Sequence, residues 1–166
     1  FSDFDMDEAK ARLGAGYFAA GRDEWAIKWA GEAASRSGRF LPEANWTAGL
    51  ASWRLGRRGQ AAGYFEAASM ATKTSGWMTS AAAFWAARAY LVGGEPKRVN
   101  ALLGRAAAYP RTFYGFLGRK MLGLPSTFSW QTPDLEKSAL ESFVTVPAGR
   151  RALGLLQVGE SRRAER

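Results

Sequence analysis

Two stretches of this chain carry the residue types that hold anions and flat rings. Arg54, Arg57 and Arg58 follow directly on Trp53, and Arg111, Tyr114, Arg119 and Lys120 lie within ten residues of one another. A guanidinium fits phosphate or carboxylate in a planar fork, and an aromatic ring offers a face on which a base or a sugar can lie. Such a pattern serves nucleic acid, an anionic glycan, or nothing beyond a solvated helix surface. No helix-turn-helix, zinc or RNA-recognition signature accompanies these residues, so no specific nucleic-acid partner is expected.

Other chemistry is excluded by composition. The 166 residues contain no Cys and no His. Without Cys there are no disulfides, thiolate nucleophiles or zinc-finger sites. Without His the usual general base and the commonest metal ligand are gone, and with them Ser-His-Asp and HExxH catalysis. Gly14-Ala15-Gly16 opens no strand–helix unit and is followed by no Lys-Ser/Thr, so it is not a phosphate loop. No cofactor and no metal are expected. No apolar run reaches the roughly 18 residues of a membrane span. The chain opens on Phe1, which predicts a processed product or a piece of something longer.

The net charge of +8 is uneven: residues 1–50 carry 6 basic and 8 acidic groups, and residues 51–166 carry 17 and 7. A basic surface of that kind favours an anionic partner.

The elements that position these residues read as helices throughout. Val and Ile are scarce, strand-like alternation is nearly absent, and apolar residues recur at helical spacing. Asp3, Asp5 and Asp7 suit the positive end of a first helix over about 7–20. Pro42, Pro96 and Pro147 open later helices, where a missing N–H costs little. Thr132-Pro133-Asp134 reads as a cap, a first-turn Pro and an acid opening a helix to about 143. The tail from Gly159 is highly charged and predicts fraying.

One unit is written three times. Gly14, Phe18, Gly21, Ala26, Ala30 and Ala33 match Gly49, Trp53, Gly56, Ala61, Phe65 and Ala68 at a shift of 35. A further shift of 38 gives Ala87, Leu91, Gly94, Val99, Leu103 and Ala106. The expectation is an all-α, right-handed solenoid of helical hairpins, a superhelix of about nine helices in one domain over 1–166. Its hairpins fall at about 7–36, 42–71 and 77–108, with closing helices at about 111–158. Gly14, Gly49 and Ala87 should let helix backbones approach. Phe18, Trp53 and Leu91 should fill the grooves where hairpins dock.

The 35–38 residue spacing resembles tetratricopeptide repeats, with small residues at Gly49, Ala61 and Ala68 and the aromatic Phe65 between the last two. That resemblance implies a peptide or protein partner in a concave groove. Three further stretches are more specific. Trp46-Thr47-Ala48-Gly49-Leu50-Ala51-Ser52-Trp53-Arg54-Leu55-Gly56 precedes Ala82-Ala83-Phe84-Trp85-Ala86-Ala87-Arg88-Ala89. Tyr109-Pro110-Arg111-Thr112-Phe113-Tyr114-Gly115-Phe116-Leu117-Gly118 follows. This order resembles the α-superhelical region of bacterial soluble lytic transglycosylases, over about residues 40–160.

The resemblance implies a periplasmic parent enzyme that cleaves the peptidoglycan glycan strand to 1,6-anhydromuramic products. A catalytic domain outside this chain would use one Glu as acid and then base. The superhelix would support that domain and guide glycan strands. Arg111 and Tyr114, together in the most family-like segment, are the expected substrate-binding residues.

The same family opens its catalytic domain with a Glu-Ser motif followed by a Gly-Leu-Met-Gln-like helix. Glu141-Ser142-Phe143 and Gly154-Leu155-Leu156-Gln157-Val158 imitate that pair. Only 25 residues follow Glu141, no Tyr occurs after Tyr114, and a lysozyme-like cleft needs on the order of 100 residues. Residues 147–156 read as an ordinary amphipathic helix. Glu141 is therefore expected on a solvated face, and no catalytic residue is assigned to this chain.

Overall fold

The computed structural model describes residues 2–72, 74–125 and 136–165, and every regular element among them is helical. Ten α-helices follow in order. They are α1 (Asp3–Ala19), α2 (Asp23–Ser37), α3 (Pro42–Arg54), α4 (Arg58–Ser69), α5 (Gly76–Val92), α6 (Val99–Ala107), α7 (Phe113–Met121), α8 (Lys137–Thr145), α9 (Pro147–Gln157) and α10 (Ser161–Ala164). A single 3₁₀ turn, Pro96–Arg98, leads into α6.

The starts follow from local chemistry. Ser2 accepts the Asp5 N–H at 3.2 Å while the Asp5 carboxylate accepts the Ser2 N–H at 2.8 Å, a reciprocal cap on α1. Ser75 caps α5 through the Met78 N–H and Thr112 caps α7 through the Gly115 N–H. Pro42 and Pro147 stand in the first turns of α3 and α9.

The stops repeat one device. Gly21, Gly56, Gly94, Gly123 and Gly159 follow the odd-numbered helices, all with φ between 68° and 82°. At each, the glycine N–H returns to the carbonyl three residues back and the next N–H to the carbonyl five back, as in Arg22 to Tyr17, Arg57 to Ser52 and Glu95 to Tyr90. This closure needs a left-handed residue, which glycine adopts without steric cost. The threefold repeat exposes Gly21, Gly56 and Gly94; the structure adds Gly123 and Gly159. After the fifth such turn the charged tail carries the four-residue helix α10.

The described residues fall into two compact units, one within 1–127 and one within 128–166. In the first, each helix from α1 to α7 packs on the next, and α1 packs on α3, α3 on α5 and α5 on α7. The result is a stack of helical hairpins. In the second, α8 packs on α9 and α9 on α10. The expected helix opening at Thr132-Pro133-Asp134 lies outside the described residues.

The core of the first unit is built from alanine. Ala26, Ala30, Ala33, Ala48, Ala61, Ala68, Ala82, Ala86 and Ala106 are wholly buried, and Phe65 is the one fully buried aromatic ring among the described residues. A Cβ at Gly14 would stand 2.8 Å from Ala30, so α1 and α2 meet backbone to backbone there. Of the repeat positions expected to fill the grooves between hairpins, Trp53 packs on the core beside Trp85 of the next hairpin and Phe18 lies under Arg54, whereas Leu91 departs from the expectation. No ring fits where α1 and α2 touch through Gly14 and Ala30, whereas Gly49 makes room for the Phe65 ring between α3 and α4. Phe18 and Trp53 are half-buried at the flanks, and Leu91 is 51% exposed rather than filling an interface.

Candidate functional site

The half-buried rings acquire cationic covers. The Arg54 guanidinium lies 4.1 Å over the Phe18 ring and donates to the Phe18 carbonyl at 2.7 Å. One repeat on, Arg58 lies 3.9 Å over Trp53 and donates to the Trp53 carbonyl at 2.6 Å. The two covers differ in their counter-charge. Arg54 is gripped by the Asp23 carboxylate, with Nε at 2.7 and 2.8 Å from its two oxygens, and that hydrogen bond raises the guanidinium's already high pKa. Arg57 is paired with Glu24. At the 35-residue shift, the position of Asp23 is occupied by Arg58 itself. Neither Arg58 nor Arg88 has a carboxylate in ion-pair range among the described residues.

Arg88 completes the second site from the next hairpin, 5.5 Å from the Trp53 ring centre and 5.1 Å from that of Trp85. The two indoles meet edge to face at 5.4 Å, and Trp85 continues to the buried Phe65. Two guanidiniums thus surround a pair of indoles anchored in the core.

Beside this cluster α5, α6 and α7 enclose an open apolar groove of about 330 Å³. Its floor is Val99 and Leu103, both nearly buried, and its walls are Phe84, Leu91 and Val92 of α5 and Met121 of α7. Arg88 is its one charged lining residue. Beside the groove, α7 is seated tightly on α6: a Cβ at Gly118 would meet the Leu103 carbonyl at 3.0 Å and the Ala106 Cβ at 3.1 Å. Ahead of α6, the Tyr90 hydroxyl and Arg98 both donate to Glu66 at 2.6 Å. Burial, then the Glu66 contact, pushes the Tyr90 phenol pKa up.

The two residues singled out by sequence fall at the N-terminal end of α7. Tyr114 lies on Phe84 with ring centres 5.4 Å apart, and so backs the wall of the groove. Arg111 is exposed in the turn before Thr112, with no ion pair among the described residues. Arg119 donates to the Pro125 carbonyl and Lys120 lies 5.7 Å over Phe116. The basic stretches therefore do unlike jobs: Arg54 and Arg57 tie hairpins together, whereas Arg58 keeps its charge unmatched. Sequence reading passed over Arg88, although its spacing of 3 from Trp85 and 4 from Phe84 sets all three on one helical face.

Glu141 is exposed in the middle of α8, and Ser142 donates to the Ala139 carbonyl within the same helix. No group of acidic residues able to hold a metal occurs among the described residues, and none of their helices is long and apolar enough to cross a membrane. No protein-family model matches the chain, and comparison with curated proteins and with solved structures finds no match.

Proposed function

We propose that this chain is the non-catalytic superhelical scaffold of a periplasmic lytic transglycosylase, the part that carries the glycan-cleaving domain and guides the strand. The observation that carries the reading is the construction of the segment 109–118. Four residues of this family-like stretch have packing tasks, while Arg111 and Phe113 are exposed. Thr112 caps α7 and its hydroxyl reaches Ser80 at 2.8 Å. Tyr114 lies on Phe84. Gly115 sits against the Tyr109 carbonyl, where no side chain fits, and Gly118 seats closely on α6. A motif whose residues seat a helix on the preceding hairpin is what a closing element of a superhelix requires. The stack of helical hairpins agrees with a scaffold.

The test uses purified peptidoglycan sacculi. The chain is expected to be retained weakly, in part even at high salt, because sugar rings lying on aromatics are not screened while carboxylate–Arg contacts are. Arg111→Ala and Tyr114→Ala should lower retention, and Tyr114→Phe, which keeps the ring face, should lower it less. No anhydromuropeptide should be released. Turnover that vanishes in Glu141→Gln would overturn the scaffold reading, and sequence-selective DNA or RNA binding with no sacculus retention would overturn the transglycosylase reading.

A further inference from the structure

The geometry points to a docking site for an acidic amphipathic helix of a protein partner, in the groove between α5 and α7 with Arg88 and Arg58 as its anion contacts. This inference is independent of the proposed parent enzyme. It starts from the comparison of the two ring-covering arginines within one chain. At Phe18 the covering Arg54 is neutralised internally by Asp23; at Trp53 the equivalent place holds a second cation, and Arg88 adds a third-hairpin guanidinium to the same indoles. Between residues 51 and 125 there are eleven basic and two acidic groups, and one of the two acids, Glu66, is already bound by Arg98 and Tyr90. A fold that supplies the counter-ion at one repeat and omits it at the next presents unmatched positive charge at the second.

The groove beside that charge selects the kind of anion. Its lining is aliphatic apart from Phe84 and Arg88, and Leu91, Val92 and Met121 are each more than half exposed. Sugar hydroxyls would find no hydrogen-bond partners on such walls. Nucleic-acid phosphates would have no use for them. Its volume stands at the low end of ligand pockets, roughly 300–1,000 Å³. That suits a few apolar side chains rather than a large cofactor, and the groove is open along one side rather than closed over an acyl chain. Aliphatic anchors on one helical face with flanking carboxylates match both features, in the helix-in-groove mode.

The probe is a fluorescein-labelled helical peptide of about fourteen residues with Leu at i, i+4 and i+7 and Glu beside them. It is titrated with the full chain and followed by fluorescence anisotropy. Binding should be saturable. It should weaken about tenfold or more in Arg88→Glu and in Leu91→Glu, both exposed positions, and less in Arg88→Lys. Lys28→Glu, which changes net charge equally on α2, should shift it by less than about twofold. A peptide with Ser for Leu should lose most of the affinity. Thermal unfolding confirms that each variant is folded, and a benzophenone on the peptide should cross-link to α5 and α7, a readout independent of any substitution. Equal binding of the Ser peptide, cross-links elsewhere, or no difference between Arg88→Glu and Lys28→Glu would overturn the proposal. So would self-association of the chain that Leu91→Glu abolishes, or binding to phosphatidylglycerol vesicles in place of the peptide, since those outcomes give the groove to a second copy or to a membrane.

Discussion

Gly49 lies under the ring of Phe65, so close that a Cβ added there would meet the ring carbons at 2.7 Å. The two residues hold α3 against α4, and Phe65 has nowhere to retreat because it is wholly buried between Trp46 and Trp85. Alanine in a helix interior is ordinarily favoured over glycine by about 1 kcal/mol. Here the expected sign is reversed: Gly49→Ala should destabilise by roughly 1–3 kcal/mol, the range of overpacked cores. Phe65→Ala should cost roughly 3–5 kcal/mol. Urea unfolding followed by circular dichroism measures both, and a stabilised Gly49→Ala would show that the hairpin can open at no cost.

Trp53 separates packing from recognition. Its repeat position predicted a fully packed ring. The structure leaves it half-buried, with one edge on Trp85 and its face under Arg58. Trp53→Ala should therefore cost roughly 2–3 kcal/mol, less than the roughly 3–5 of a fully buried aromatic. Trp53→Phe should keep most of the stability, since it preserves an edge-to-face partner and a ring for the guanidinium. A Trp53→Ala loss equal to that of Phe65→Ala would put the indole in the core and remove it from the binding surface.

How far these residues could be read from sequence depends on the backbone closeness that each position demands. Gly21, Gly56 and Gly94 were legible as turns because their conformation excludes other residues cheaply, and the repeat phase fixed them. Gly123 and Gly159 perform the same closure but stand outside the threefold match. The close approach at Gly14 and Gly49 was legible, since a small residue recurs at that repeat position. Leu91 is exposed where its repeat position predicts a filled groove, because a 3.6-residue pattern reports which face is apolar, not what covers it. Arg88 was hidden for a related reason: a lone Arg in an alanine-rich helix gains meaning only when Trp53, 35 residues earlier, is seen to lie beside it.

Asp7 makes the stability of the first hairpin depend on pH. Its side chain is almost completely buried between α1 and α2, where it is paired with Arg36 and accepts the Ser37 hydroxyl at 2.7 Å. The Arg36 hydrogen bond holds its pKa below the usual carboxylate value against the opposing effect of burial, with Ser37, the Arg36 charge and Lys10 assisting. A depressed folded-state pKa means that the unfolded chain takes up the proton first. The stabilisation is present in full above the unfolded value of about 3.9 and is lost as pH falls through the folded value. Asp7→Asn should unfold more easily at neutral pH and show a shallower loss of stability on acidification below about pH 4. Denaturant midpoints across pH for both proteins test it; parallel curves would mean that other carboxylates govern acid unfolding.

Thr112 is the clearest test of how α7 is held. It is 8% exposed, its Oγ accepts the Gly115 N–H at 3.0 Å, and its hydroxyl lies 2.8 Å from the Ser80 Oγ and 2.9 Å from the Tyr109 carbonyl. The one hydroxyl proton serves one of those last two at a time. Ser80 is itself wholly buried and donates to the Trp77 carbonyl, so its oxygen is free to accept from Thr112. Thr112→Val keeps the shape and removes the cap together with the link to α5. The expected loss is about 1–2 kcal/mol. Thr112→Ser should recover most of it, because the oxygen is what the Gly115 N–H needs. The groove depends on where α7 sits, so Thr112→Val should also weaken the acidic peptide without touching it, whereas Thr112→Ser should not. Hydrogen exchange would report the cause: the Gly115 and Phe116 amides should lose protection in Thr112→Val while those of α3 and α4 remain protected. Unchanged protection at the start of α7 would show that the Gly118 contact with α6 seats the helix without its cap.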